Sequence, residues 1–146
     1  MNKEMTLDDC IERLHQLAPG SIGDLMNFWV VSEDRERGEY TLRCKTFDWM
    51  RNTGGSLHGG MGAAILDQAM GYVAYSYIPG PGKNLTVQMQ QSFYRPLIPG
   101  EDVIVRVRVI SAGRTLISMT AEASRASDPN QICISGSGTS YFKLEK

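Results

Sequence analysis

Residues 59–78 read GGMGAAILDQAMGYVAYSYI, and this run decides the fold. Its alanine, isoleucine, leucine and methionine content predicts a helix over Met61–Tyr77. Pro79-Gly80-Pro81-Gly82 then ends it, because proline cannot continue a helical hydrogen-bond ladder. The helix is apolar on nearly every side. An ordinary surface helix keeps a polar face, so this one must be wrapped by other elements over most of its circumference.

Outward from the helix, the chain supplies strands to do the wrapping. Asn27–Ser32 and Glu39–Thr46 read as two strands joined by the charged turn Glu33–Gly38. Beyond the helix, Leu85–Tyr94, Val103–Ile110, Thr115–Ser124 and Ile132–Phe142 read as an antiparallel meander, with turns at Pro99-Gly100, Ala112-Gly113 and Asp128-Pro129-Asn130. Alternation along Leu85–Tyr94 puts Leu85, Val87, Met89 and Phe93 on one face, and Thr86, Gln88, Gln90, Ser92 and Tyr94 on the other. Ahead of the first strand, Thr6 as N-cap, Asp8 and Asp9 in the first turn and Leu7, Ile11, Leu14 and Leu17 at helical spacing predict a short amphipathic helix, stopped by Pro19-Gly20. His15 on that helix reads as a surface histidine. The fold class is therefore α+β: a curved antiparallel sheet around one long central helix, with a short N-terminal helix.

At 146 residues the chain is expected to form a single domain, residues 1–146, with a helical segment over 1–24 and a core over 25–143. Hydrophobic residues at 42% and charged residues at 21% argue against disorder. A net charge of −1 lacks the electrostatic footprint of a general nucleic-acid binder. Cys10, Cys44 and Cys133 are too scattered for a disulfide framework or a C-x-x-C site, and His15 and His58 alone are too few for a multi-histidine metal site. The N-terminus lacks a signal peptide's apolar run, and residues 59–78, with Asp67, Gln68 and several glycines, suit a membrane poorly. The expectation is a soluble cytoplasmic domain with no metal, no cofactor, no nucleic-acid partner and no membrane.

Asp67 is the informative residue for chemistry. On a helical wheel it shares an apolar stripe with Ala63, Leu66, Met70 and Ala74. A carboxylate there needs partners, and a partly desolvated one is a stronger base; the alternative is an Asp that caps a loop or pairs with an arginine. Leu57-His58-Gly59-Gly60 stands at the start of the same helix. A helix N-terminus offers free N–H groups and the positive dipole end, which suit a developing oxyanion, and glycine lets a carbonyl approach closely; alternatively the glycines only make a tight turn. His58 has no neighbouring acid to orient it as in a hydrolase triad. Asn52 is either a turn residue or a polar group aimed at substrate or water.

Together, Asn52-x-x-Gly55-x-x-His58-Gly59-Gly60 with Asp67 nine residues past His58 resembles the hot-dog-fold acyl-CoA thioesterases, in particular the phenylacetate-pathway (PaaI-like) branch. The resemblance continues through Leu85-Thr86-Val87, Tyr94-Arg95-Pro96, Pro99-Gly100, Ala112-Gly113-Arg114 and Gly136-Ser137-Gly138-Thr139. It implies a homodimer with shared active sites, assembled further into a tetramer, that hydrolyses an acyl-CoA to free acid and CoA. It implies that Gly59 gives its N–H to the thioester oxygen and that Asp67 of the opposite subunit acts as general base or nucleophile. Asn52 would orient substrate or water, His58 hold the loop, and Thr86 assist Asp67, although its strand parity sets it apart. Arg51, Lys83, Arg95, Arg114 and Arg125 are available for CoA phosphates; Met70, Tyr72, Tyr75 and Tyr77 either line an acyl pocket or fill the core. Two other readings stand beside this one: a non-catalytic acyl-CoA-binding module, and an acyl-thioester dehydratase of the same fold, which would need a catalytic histidine in a different context.

Overall fold

A computed structural model describes residues 5–146. Thr6 opens α1 (Leu7–Leu17) with a reciprocal cap: its hydroxyl accepts the Asp9 N–H while the Asp9 carboxylate accepts the Thr6 N–H. A four-residue helix, α2 (Ile22–Leu25), follows, which the sequence did not predict. β1 (Trp29–Asp34) and β2 (Glu39–Cys44) form a hairpin, and a single 3-10 turn over Asp48–Met50 leads into the glycine-rich loop. The central helix α3 runs over Gly59–Ser76, two residues earlier than predicted, because His58 caps it. The remaining strands are β3 (Gly82–Phe93), β4 (Val103–Ala112), β5 (Leu116–Arg125) and β6 (Ile132–Leu144).

All six strands form one antiparallel sheet in the order β1-β2-β4-β5-β6-β3. The expected meander is corrected here. β4 pairs with β2, Leu42 opposite Val105, so β3 lies at the far edge beside β6 instead of next to β4. Period-two alternation shows which side chains face the core but carries no information about which strand is the neighbour.

Register slips by one residue at Val31, Val87, Ile110 and Cys133. Each such bulge bends its strand and sharpens the twist, which curves the sheet around α3. The seat is tight. A Cβ at Gly62 would stand 2.6 Å from Ile134 Cδ1, and one at Gly136 would stand 2.6 Å from the Gln90 carbonyl oxygen. On α3, Ile65, Leu66, Ala69, Val73 and Ala74 are wholly buried, as the all-round apolar pattern required.

His15 is half-buried and held by partners, not a free surface histidine. Its Nε2 lies 2.8 Å from the Tyr72 hydroxyl and its Nδ1 3.7 Å from Asp24. The neighbour that draws it inward belongs to α3 and is invisible from the N-terminal helix alone. Burial, with Asp24 adding to it, pushes the Tyr72 phenol above its usual pKa. Met70 and Tyr72 are buried, and Tyr77 meets the buried Tyr40 hydroxyl to hydroxyl at 2.7 Å, so these three fill the core. No helix among the described residues is long and apolar enough to cross a membrane.

Candidate active site

The loop before α3 is folded by its own polar side chains. Asn52 Oδ1 accepts the N–H groups of Gly54 at 2.9 Å and Ser56 at 3.2 Å, while its Nδ2 donates to Ser56 Oγ at 3.0 Å. This is an Asx turn, and it leaves one Nδ2 hydrogen uncommitted. His58 donates its N–H to the Met50 carbonyl at 2.8 Å, pinning the loop to the chain before it. Its ring Nδ1 accepts the Gly60 N–H at 2.9 Å, so His58 is the N-cap of α3. Accepting at Nδ1 assigns the neutral ring's proton to Nε2, and that tautomer has no free lone pair with which to act as a base.

This cap settles which amide is left over. Met61 and Gly62 both donate to the His58 carbonyl, and Gly60 donates to the His58 ring. The Gly59 N–H has no partner among the described residues. It stands at the positive end of an 18-residue helix and faces a cleft of about 370 Å³. Asn52, His58 and Gly59 line this cleft together with Phe93, Arg95 and Ile134.

Asp67 and Thr86 are elsewhere. Neither lines the cleft, but they hold each other: the Thr86 hydroxyl donates to Asp67 Oδ1 at 2.8 Å. Asp67 is half-buried, and its carboxylate is in no ion pair among the described residues. A single alternation over β3 would turn Thr86 away from Met89 and Phe93. The bulge at Val87 reverses the parity: Thr86 pairs with Ser140, and Gln88, not Val87, pairs with Thr139. Asn84 and Thr86 before the bulge, and Met89, Gln91 and Phe93 after it, therefore share the side that faces α3. The result is a polar seam along one stripe of the helix. Asn84 donates to the Gly71 carbonyl at 3.2 Å, Thr86 to Asp67, and Gln91 to the Ala63 carbonyl at 3.1 Å.

Asn84 and Gln91 were missed from sequence, though Gln91 carried a signal. A polar residue between Met89 and Phe93 breaks the apolar face of the predicted strand.

The five basic residues separate. Arg51 pairs with Asp48, and Arg125 grips Glu101 with two bonds of 2.8 Å, holding that carboxyl below its usual pKa. Arg95 lines the cleft, its Nη1 resting on the Ile132 carbonyl at 3.3 Å, whereas Lys83 and Arg114 do not line it.

A family model described as the thioesterase superfamily matches residues 54–131, which include His58, Gly59, Asp67 and Thr86. A curated protein of Halobacterium salinarum named as a candidate esterase is 29% identical, over 82% of this chain and 85% of its own. The crystal structure of a phenylacetic-acid-degradation-related protein of Ralstonia eutropha superposes with a TM-score of 0.78 at 21% identity, covering 90% of this chain and 98% of that one. A Streptococcus mutans protein solved with acetyl-CoA bound superposes with a TM-score of 0.68 at 21% identity, covering 82% and 91%. The architecture shared with these structures, a curved six-stranded antiparallel sheet around one long helix, is the hot-dog fold.

Proposed function

Because the chain belongs to the thioesterase superfamily, we propose that it hydrolyses an acyl-CoA thioester to free acid and CoA, in sites shared between two copies of the chain. The observation that carries this reading is the unpartnered Gly59 N–H at the positive end of α3, open to the cleft. There it donates to the thioester oxygen as negative charge develops, with the remaining Nδ2 hydrogen of Asn52 beside it to orient the substrate. Asp67 of the partner subunit is the general base on water or the nucleophile. Thr86 fixes one of its oxygens and leaves the other to react. His58 acts through the loop and the cap, and neither step requires a metal. Oxyanion stabilisation and a poised base each contribute typically ~10²–10⁴-fold.

The argument for two copies is one of distance. Gly59 and Asp67 are eight residues apart on one helix, a rise of about 12 Å. A thioester carbon cannot be within about 3.5 Å of an attacking atom on Asp67 while its own oxygen touches the Gly59 N–H of the same helix. A second helix has to supply the carboxylate. β3 offers the means: it is a twelve-residue edge strand whose Leu85, Val87 and Phe93 are 43%, 58% and 54% exposed. Such an edge is a template for pairing with a second copy. Further assembly of dimers into a tetramer fits the same reading. Arg95 is the cleft's cation for the CoA phosphates, and the acetyl-CoA held by the Streptococcus mutans protein supports a CoA substrate.

Thiol release across short, medium, long and aromatic acyl-CoAs tests the activity. Tight binding without release would favour a binding module instead. The dehydratase reading is disfavoured by the His58 ring, whose only free nitrogen carries its proton.

Complementation tests the sharing. Gly59→Pro removes the key N–H at the first helical position, where proline is tolerated, and Asp67→Asn removes the carboxylate. Each variant alone should be inactive. Co-refolded in equal amounts they should recover about a quarter of wild-type turnover, since half the dimers are mixed and each holds one intact site. No recovery would refute a shared site.

A further inference from the structure

We propose that Gly71 sets the size of the acyl group by leaving open the space on α3 beside Asp67, so that the substrates are CoA thioesters of bulky apolar acids and not acetyl-CoA. The inference rests on the shared-site reading above and names the substrate class of that site.

A glycine inside a helix costs stability relative to alanine, because it loses more backbone freedom on folding. Elsewhere on α3 the glycines answer to contacts within the chain. Gly59 and Gly60 form the first turn at the cap, and a Cβ at Gly62 would collide with Ile134. Gly71 is different. It lies well inside α3, it is half-buried, and its φ is not among the positive ones. A Cβ there would meet one atom within 4 Å, Asn84 Nδ2 at 3.9 Å, which is an ordinary contact. Alanine would therefore fit the single chain and strengthen the helix. The packing of the chain does not call for glycine at this position.

Its place on the helix points to what does. Residues four apart on a helix are neighbours on one face, so Asp67, Gly71 and Tyr75 form one ridge: a carboxylate, a gap and an aromatic ring. β3 holds this ridge from the side, Thr86 bonding to the Asp67 carboxylate and Asn84 to the Gly71 carbonyl. The gap is thus bordered by Asp67 at one end and by the half-buried Tyr75 at the other.

The geometry of the reaction leads the acyl group into this gap. With the thioester oxygen on the Gly59 N–H of one subunit, the sulfur limb runs into the cleft that holds Arg95. The acyl limb leaves the planar carbonyl carbon on the opposite side, over the helix that supplies Asp67. Two directions lead along that helix. One turn toward its N-terminus, the Gln91 side chain covers the Ala63 carbonyl, bonded to it at 3.1 Å. One turn toward its C-terminus stands Gly71, and only there is a side chain missing. An acetyl group needs no such space, since it ends one carbon past the carbonyl. A longer chain or a ring passes Asp67 and lies over Gly71 toward Tyr75, neither of which carries a charge.

Thiol release from straight-chain esters between acetyl- and dodecanoyl-CoA, and from benzoyl-CoA, tests this on wild type, Gly71→Ala and Gly71→Leu. Wild type should have its highest kcat/KM on benzoyl-CoA or on a chain longer than butyryl, which also separates ring from chain. Gly71→Ala should lose about tenfold or more on that preferred ester, the usual effect of one methylene in a filled pocket, and stay within about threefold on the shortest ester that wild type turns over. Gly71→Leu should deepen the loss and move the optimum to still shorter chains. The melting temperature of Gly71→Ala should rise by a few degrees, so the lost activity is not lost folding. An unchanged acyl profile in Gly71→Ala, or a wild type that prefers acetyl-CoA, overturns the proposal. So does an equal loss on every ester, whether through weaker association of the subunits in sedimentation or at the thioester itself. In each of these cases the thioesterase reading stands. A wild type that releases no thiol from any ester sinks that reading and this inference together.

Discussion

At the residue scale, His58 serves the proposed chemistry without touching it. By accepting the Gly60 N–H, the ring leaves Gly59 as the helix amide without a partner in the chain. His58→Ala should cost about 1 kcal/mol of stability, the usual loss on removing an N-cap, and lower turnover by loosening the amide proposed to hold the oxyanion. His58→Asn, which caps as well, should restore the stability measured by urea denaturation. If alanine and asparagine are equally stable, the ring is not acting as a cap. The sequence offered His58 next to two glycines and so fixed attention on it. Its tautomer was not legible, because that depends on which backbone group the ring meets.

At the element scale, β3 carries the most consequential irregularity. Val87 is the extra residue that lets Thr86 and Gln91 face the same helix although they lie five positions apart, an odd interval that an unbroken strand would turn to opposite faces. Deleting Val87 leaves Thr86 and Gln91 four positions apart, an even interval that a regular strand turns to one face, so both should still face α3 and turnover should persist. Lost turnover with unchanged circular dichroism would show that the bulge does more than set the parity of Thr86. Most element types were readable from pattern, and boundaries fell within a few residues for the strands. The bulge was not readable, because the run Leu85–Tyr94 alternates plausibly as written. Its one warning was Gln91, a polar residue in the otherwise apolar register.

At the scale of the whole molecule, an unpaired edge and the proposed division of the site make the same demand. β3 has β6 on one side only and exposes apolar side chains near its free edge. Leu85→Lys with Val87→Lys should yield a monomer of about 16 kDa in place of a dimer or larger assembly, since like charges brought together on paired edges repel. That monomer should lose turnover although Gly59, Asp67 and Asn52 are all unchanged. Sedimentation and a thiol-release assay check both halves. A monomer with wild-type activity would mean that each chain holds a complete site.

The sequence by itself determined the class of fold and the chemical types in the site. An all-round apolar helix must be wrapped, the runs around it alternate as strands do, and the spacing of Asn52, His58, Gly59 and Asp67 is a local property of one loop and one helix. Only the tertiary structure decided that β3 crosses to the far edge, that a bulge turns Thr86 inward, and that His15 closes on Tyr72. The reason is common to all three. Local pattern reports which way a side chain points relative to its own backbone, whereas its neighbour is chosen by packing between segments far apart in the chain.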